Sequence, residues 1–386
     1  MRICLFTSTF LPKIGGHEVA MDELARHLTA IGHEVVVLAQ TASRWRSTQE
    51  LTRPYRIEWF SKPLSQKWAI GKFRRVLARL YRQWRFDVIH TFSSYPTGFA
   101  ALELSSTQRV PLIITSQGGD LAEGSRYEKR PLVMSRIRQT LRDANAVTNI
   151  SRYMRQRALA LQPACLPRLY DIPNGVDVAS MRAAAIDPAI RPFPSLEKGS
   201  FILFLGRFHP RKGIDVLIRA FGKTPSGRFR LVIAGRGRDE QTLKALAAEN
   251  PHRDKIDFVG PVAGAAKQWL LQNAAFVAAP TRTWEGMPVV VLESLACGQP
   301  VIGTRVGGIV DLIIDDQNGL LVEPEDADQL ASAMSRLMND PAQRDRLSRG
   351  AAESITRYDW SVVGKQYVQL YEQLLAKRKN AEASAV

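Results

Sequence analysis

Short apolar runs alternate with amphipathic stretches of helical period along most of the chain. In the first half, RICLFTSTF reads as a buried strand, PKIGGHE as a Gly-rich loop, and Val19 to Ile31 as a helix closed by Gly32. HEVVVLAQ, Tyr55–Phe60, DVIHTF, LIITSQ and AVTNIS continue the strand series, with helical stretches between them. Pro163, Pro167, Pro173, Pro188 and Pro192 then interrupt the pattern, and a hinge is expected within residues 161–192. A second series opens with FILFLG and runs through RLVIAG, IDFVG, AAFVAAP, PVIGT and GLLV, with helices predicted over Ile214–Phe221 and Asp239–Glu249. Two such series predict an α/β protein of two doubly wound domains facing a cleft, residues 1–172 and 173–358. No period of 20–50 residues recurs, which excludes a solenoid or propeller. From Asp359 the chain closes on one amphipathic helix carrying Trp360, Val363, Tyr367, Leu370, Tyr371 and Leu374. Its polar tail KRKNAEASAV is expected to fray.

Composition adds bounds. With 386 residues the chain is too long for one ordinary core, and 45% apolar residues with 23% charged are usual for a globular protein. No apolar run approaches the ~20 residues of a membrane span. MRICLFTSTF enters strand-like sequence without the features of a signal peptide, so a cytoplasmic location is expected. Cys4, Cys165 and Cys297 read as reduced core thiols rather than a disulfide framework or a zinc site. The net charge of +16 is uneven: residues 1–170 hold 26 Lys and Arg against 12 Asp and Glu, the remainder 27 against 25. An anionic partner is expected for the first half, whether nucleic acid, phospholipid surface or phosphate-bearing substrate.

Three segments carry candidate chemistry. In EGMPVVVLESLACGQPVIGT, Glu285 and Glu293 bracket an apolar run. The β-branched Val289-Val290-Val291 argues for a strand, whereas Pro288 at the start and Gly298 past the end argue for a helix, which we favour. A helix sets the acids ~12 Å apart around an N-terminus suited to an anion. Glu285 then suits sugar hydroxyls and Glu293 a ribose diol; a capping acid and a solvated helix residue explain them as well. In FLGRFHPRKGIDVLIRAF, Arg207 and Lys212 leave a buried strand where a diphosphate can be neutralised, though a solvated basic loop is the simpler account. Gly15-Gly16 between the first strand and helix allow backbone N–H groups to close on a phosphate, as does a tight turn with no ligand. Gly235-x-Gly237 lacks the third glycine of a dinucleotide fingerprint, and there is no Walker loop.

Taken in order, GGHE…LARHLTAIGHEVVVL, NGVD, LGRFHPRKGIDVLIRAF, VIAGRGRDEQTLKAL, EGMPVVVLESLACGQPVIGTRVGG and NGLLVEPEDADQLASAM resemble the retaining nucleotide-sugar glycosyltransferases of family 4. The resemblance spans residues 15 to about 334 and implies the GT-B fold, two Rossmann-like domains with a C-terminal helix, here 359–378, crossing back to the N-terminal one. It implies an acceptor domain first and a donor domain second. Glu293 would bind ribose, and Glu285 the donor sugar beside Gly286, Met287 and Pro288. Arg207 and Lys212 would hold the diphosphate, with Gly15-Gly16 closing over it. In TSQGGDL, Gln117 stands where many relatives have a histidine at the donor sugar; Gln can hydrogen-bond but cannot take a proton. His90 resembles a histidine common in the family and is placed, with Asp120, on the acceptor side; a satisfied structural histidine is the equal alternative. The implied reaction is front-face hexosyl transfer with retention, from a UDP- or GDP-sugar to a glycan or lipid-linked hydroxyl. No cofactor and no metal is required. Asp326-Ala327-Asp328 is read as helix capping, not as a metal site.

Between Glu58 and Asp87 there is no acid but eight cations: Lys62, Lys67, Lys72, Arg74, Arg75, Arg79, Arg82 and Arg85. At ~100° per residue, Ile70, Phe73, Leu77, Leu80, Tyr81 and Trp84 fall on one side and most cations opposite. Packing of that apolar face on the first sheet is the favoured reading, with outward cations of Lys67–Arg85 left for anionic lipid heads. With the basic RYEKRPLVMSRIRQTLR, this suggests a peripheral protein at the inner face of a plasma membrane, acting in cell-surface polysaccharide or glycolipid synthesis. Competing readings are a sugar-nucleotide epimerase or hydrolase of similar fold, and a basic nucleic-acid-binding protein, against which no recognised binding pattern is present.

Overall fold

The computed structural model describes residues 1–13, 15–41, 52–63, 66–183 and 193–384, so Pro188 and Pro192 lie outside the described residues. The chain divides into two units, Met1–Gly175 with Trp360–Val386, and Val176–Asp359.

In the first unit, β1 (Arg2–Thr7), α1 (Gly16–Ala30), β2 (Glu34–Gln40), β3 (Arg56–Phe60), α2 (Gln66–Trp84), β4 (Val88–Thr91), α3 (Phe99–Gln108), β5 (Leu112–Ser116), α4 (Pro131–Asp143), β6 (Ala146–Asn149), α5 (Arg152–Leu161) and β7 (Leu169–Asp171) follow one another. The sheet order is β3-β2-β1-β4-β5-β6-β7 and every pairing is parallel. Helices on both faces of such a sheet bury its inner strands on both sides, which is why β1 and β2 read as apolar runs rather than alternating ones, while the edge strand β3 is only partly buried. Two local expectations fail. The Gly-rich loop is shorter than predicted, because α1 already begins at Gly16, its first turn closed by Val19 N–H on the Gly15 carbonyl at 3.0 Å. β7 was not foreseen; it is three residues long between Pro167 and Pro173, an edge position where neighbouring prolines cost no ladder bond.

The basic stretch forms α2, and its apolar face is buried as favoured: Phe73 meets Phe6 and Phe60 edge-on at 5.9 and 5.3 Å. Ile70, Leu77 and Leu80 are buried beside it. Arg74 pairs with Glu103 of α3 at 2.9 Å, while Arg75, Arg79 and Arg82 are exposed and have no side-chain partner among the described residues. The Lys67 side chain lies outside the described residues.

In the second unit the elements are α6 (Val178–Arg182), β8 (Phe201–Leu205), α7 (Ile214–Gly222), β9 (Arg230–Ala234), α8 (Glu240–Ala248), β10 (Ile256–Gly260), α9 (Gly264–Asn273), β11 (Phe276–Ala279), α10 (Val289–Ala296), β12 (Val301–Thr304), α11 (Ile309–Leu312), β13 (Gly319–Val322), α12 (Ala327–Asn339) and α13 (Pro341–Ser354). The parallel sheet runs β10-β9-β8-β11-β12-β13. Asp326 caps α12, accepting from the backbone N–H groups of Asp328 and Gln329 at 3.0 and 2.8 Å, the role expected for this acidic pair.

The last helix, α14 (Trp360–Ala383), belongs to the first unit. Trp360, Val363, Tyr367, Leu370, Tyr371 and Leu374 enter the core with Ile3, Leu5, Leu24, Val88 and Ile113. Gly175 of NGVD is required beneath it, since a Cβ there would lie 2.5 Å from the Trp360 ring. The polar tail does not fray at Lys377 as expected. It stays helical to Ala383, with Arg378 bonded to Glu382 at 3.0 Å one turn on.

Candidate active site

Strand order in the second unit reverses between β8 and β11, the place where open α/β sheets take ligands at the strands' C-terminal ends. The loop leaving β8 is fixed by close backbone approaches. A Cβ on Gly235 would lie 1.9 Å from the Gly206 carbonyl, and one on Gly237 2.0 Å from that of Phe208. The glycines of AGRGRDE therefore serve packing between the two loops. His209 then caps a single tight turn, Pro210–Lys212. Gly213 leaves it at φ +63° with its Cα side pressed on Pro280, where a Cβ would stand 2.0 Å from the carbonyl oxygen.

This turn runs beside the segment following β11. Arg282 N–H donates to the Arg211 carbonyl at 2.8 Å, and the Arg282 guanidinium reaches the Pro210 carbonyl, Asp215 and Glu325. Arg211 lies over the Trp284 ring at 4.0 Å. One residue further along both segments, Lys212 Nζ donates to Glu285 Oε1. The Glu285 backbone is held as well: Gly308 N–H donates to its carbonyl at 2.9 Å, and Gly307, at φ +50°, has no room for a Cβ against it. Arg207 is exposed and has no hydrogen-bond or ion-pair partner among the described residues.

The contested segment is helical. Pro288 stands at the N-cap with an extended backbone, α10 follows, and Gly298 closes it at φ +73°. The valines accept helix because Val291, Leu292, Leu295 and Ala296 are buried along one side. Glu285 precedes the cap by three residues, so the separation drawn for a continuous helix does not describe its side chain. Gly286, Met287 and Pro288 between them are buried. Glu293, the fifth helical residue, is not solvated: its side chain is 9% exposed and takes Lys267 of α9 on Oε1 at 2.5 Å.

In the first unit the order reverses between β1 and β4. Gly15 caps α1, Gly16 opens it, and Gln117 and Asp120 follow β5. Gln117 and Asn174 exchange two amide hydrogen bonds, both 2.9 Å. Asp120 is buried and accepts from the Ser94 backbone N–H at 2.6 Å and from the hydroxyls of Ser94 and Ser116. His90 takes the structural alternative. It is wholly buried, Nδ1 against the Tyr371 hydroxyl at 2.8 Å and Nε2 against that of Thr115 at 2.6 Å. Burial pushes its pKa down to about 3, so it is neutral. Both ring nitrogens are spent tying β4 to β5 and α14, and none is left for an acceptor. A histidine the sequence reading passed over, His17, follows Gly16 directly. Its Nε2 is 3.0 Å from the Thr7 hydroxyl, and burial lowers its pKa against the opposing pull of Glu18 and Asp120.

The family described as Glycosyltransferase Family 4 matches residues 14–180, and Glycosyl transferases group 1 matches residues 187–354. A D-inositol 3-phosphate glycosyltransferase of Acidothermus cellulolyticus is 32% identical over 77% of this chain and 69% of its own length. The chain belongs to glycosyltransferase family 4. A phosphatidyl-myo-inositol mannosyltransferase of Mycolicibacterium smegmatis is 28% identical across 96% of this glycosyltransferase and 94% of its own length. Among solved structures, a sucrose-phosphate synthase from Thermosynechococcus elongatus superposes with a TM-score of 0.80 at 23% identity, covering 97% of this chain and 99% of that one. Anabaena Alr3699/HepE in complex with UDP-glucose does so at 0.80 and 18%, covering 97% and 100%. These two likenesses establish the GT-B fold.

Within the glycosyltransferase, the second unit brings Lys212 to Glu285 and carries Glu293 on the helix that follows. Lys267, in GAAKQWLLQN, had no signal in the sequence, because it meets Glu293 only through the packing of α9 on α10. Gly307 did have one: it is the first of the two glycines closing the family-like segment in GTRVGG, where a positive φ and a backbone contact both demand glycine. Among the described residues no helix is long and apolar enough to cross a membrane.

Proposed function

We propose that this glycosyltransferase moves a hexosyl unit from a UDP- or GDP-sugar to a hydroxyl of a glycan or lipid-linked acceptor, with retention and without a metal. The Lys212–Glu285 pair carries the reading. A cation suited to phosphate and a carboxylate suited to sugar hydroxyls sit side by side, as the covalently joined phosphate and sugar of a sugar diphosphate ester require of their binding groups. Arg207 and Lys212, with the N-terminus of α10, stabilise the charge that grows on the departing diphosphate. That supply of positive charge is the reason for writing the reaction without a metal. The acceptor oxygen bonds to the anomeric carbon on the face from which the phosphate oxygen leaves, and that phosphate oxygen takes the acceptor's proton. Gln117 has no basic nitrogen for the task, which supports assigning it to the leaving group. Glu285 orients hydroxyls and forms no covalent bond.

Incubation with UDP- and GDP-hexoses and phosphatidylinositol or oligosaccharide acceptors tests this. NMR of the product should show the donor's anomeric configuration, unchanged by EDTA. An inverted product, or activity abolished by chelation, would refute the scheme.

The relative named for phosphatidyl-myo-inositol favours an acceptor held at an anionic lipid surface. Arg75, Arg79 and Arg82 of α2 are exposed for such a contact, at up to ~1 kcal/mol each. The protein should float with anionic vesicles in dilute buffer and separate from them at high salt. The triple change R75E/R79E/R82E should abolish flotation; retention by that variant, or equal binding to neutral vesicles, would remove the membrane role.

A further inference from the structure

Each acid of the E-x7-E segment carries a lysine, but the two lysines differ in origin. Lys212 belongs to the loop already assigned to the diphosphate. Lys267 stands on α9, belongs to none of the motifs, and reaches Glu293 from the side. Its head is 24% exposed and the carboxylate 9%. Lys267 supplies the only side-chain donor to that carboxylate among the described residues, and it occupies Oε1, leaving Oε2 without a protein donor there.

We propose that Lys267 is a positioning residue for ribose recognition, fixing Glu293 so that its free oxygen faces the ribose diol. This rests on the reading of Glu293 as the ribose ligand. A carboxylate with one oxygen pinned offers the other in a single orientation, with lone pairs left on both for the two hydroxyls. The ammonium also cancels a negative charge that would otherwise stand near the diphosphate of the same ligand, where like charges repel. A salt bridge kept only for stability would serve neither purpose: breaking a largely buried pair costs stability but leaves the preference for ribonucleotide over deoxynucleotide where it was. The two roles therefore separate by measurement.

The test uses the free nucleotides UDP and GDP with their 2′-deoxy counterparts, bound to the whole chain and followed by calorimetry. The wild type should prefer the ribonucleotide, and E293Q should lose that preference. K267M should weaken binding of the ribonucleotide by about tenfold while leaving the deoxynucleotide nearly unchanged, so that the ratio collapses. K267R, which keeps the charge and a donor, should restore most of it. The double variant should bind no more weakly than E293Q alone. A wild-type ratio in K267M beside a collapsed ratio in E293Q overturns the role of Lys267 and leaves the ribose reading standing. A wild-type ratio in E293Q overturns both.

Discussion

Replacing Glu285 by Gln should lower kcat by about two to three orders of magnitude while the fold survives. The amide fills the same space but removes the charge that Lys212 meets, and it exchanges one acceptor oxygen for a donor. Everything else that places the residue is backbone: the Gly308 N–H on its carbonyl and the close passage of Gly307. These are untouched by the change, so the site should lose chemistry rather than shape. Both side chains of the pair are partly exposed, so its loss should change stability by less than ~1 kcal/mol. K212M should lower kcat and kcat/KM together, because it removes charge needed mainly as the diphosphate departs. Steady-state kinetics with thermal melts of the same preparations check both. An E285Q enzyme with half the wild-type kcat would end the assignment of Glu285 to the donor sugar.

Acid should unfold the first unit through His90. The unfolded imidazole titrates near its ordinary value of 6.5, whereas burial holds the folded one down at about 3. Between those values the unfolded chain binds the extra proton. Stability is therefore full above pH ~6.5 and declines as pH falls toward 3, with His90 contributing up to ~1.4 kcal/mol per pH unit. His17, also lowered by burial, acts in the same direction and must be separated. The variant H90F does so. At pH 7.5 it should be less stable by about 2 kcal/mol, because the Tyr371 hydroxyl loses its partner in the core. As pH falls the deficit should shrink, since phenylalanine has no proton to gain. Urea unfolding of both proteins at several pH values measures the difference, and parallel curves would rule out His90 as the group responsible.

Much of the fold could be read along the chain because parallel strands covered on both faces leave apolar runs that little else produces. Twelve of the strands were foreseen, most of them in that way, and β7 was not, since three residues between prolines carry no run. The helical α10 was readable from Pro288 and Gly298 even though three valines spoke for a strand. Misjudged ends came from the opposite cause. Gly16 and the tail beyond Lys377 look unsuited to helix one residue at a time, yet each continues a helix already nucleated beside it, where adding a residue is cheap.

Residue type and order alone determined that there are two series of strands and helices, that the acids at 285 and 293 lie around a helix start, and that the family is glycosyltransferase family 4. Tertiary structure decided the partners. Lys267 reaches Glu293 from 26 residues away, Lys212 reaches Glu285 from 73, and Tyr371 claims His90 from 281. No local pattern encodes such pairs, because hydrophobic periodicity reports which face of an element is buried, and not which neighbouring element covers it.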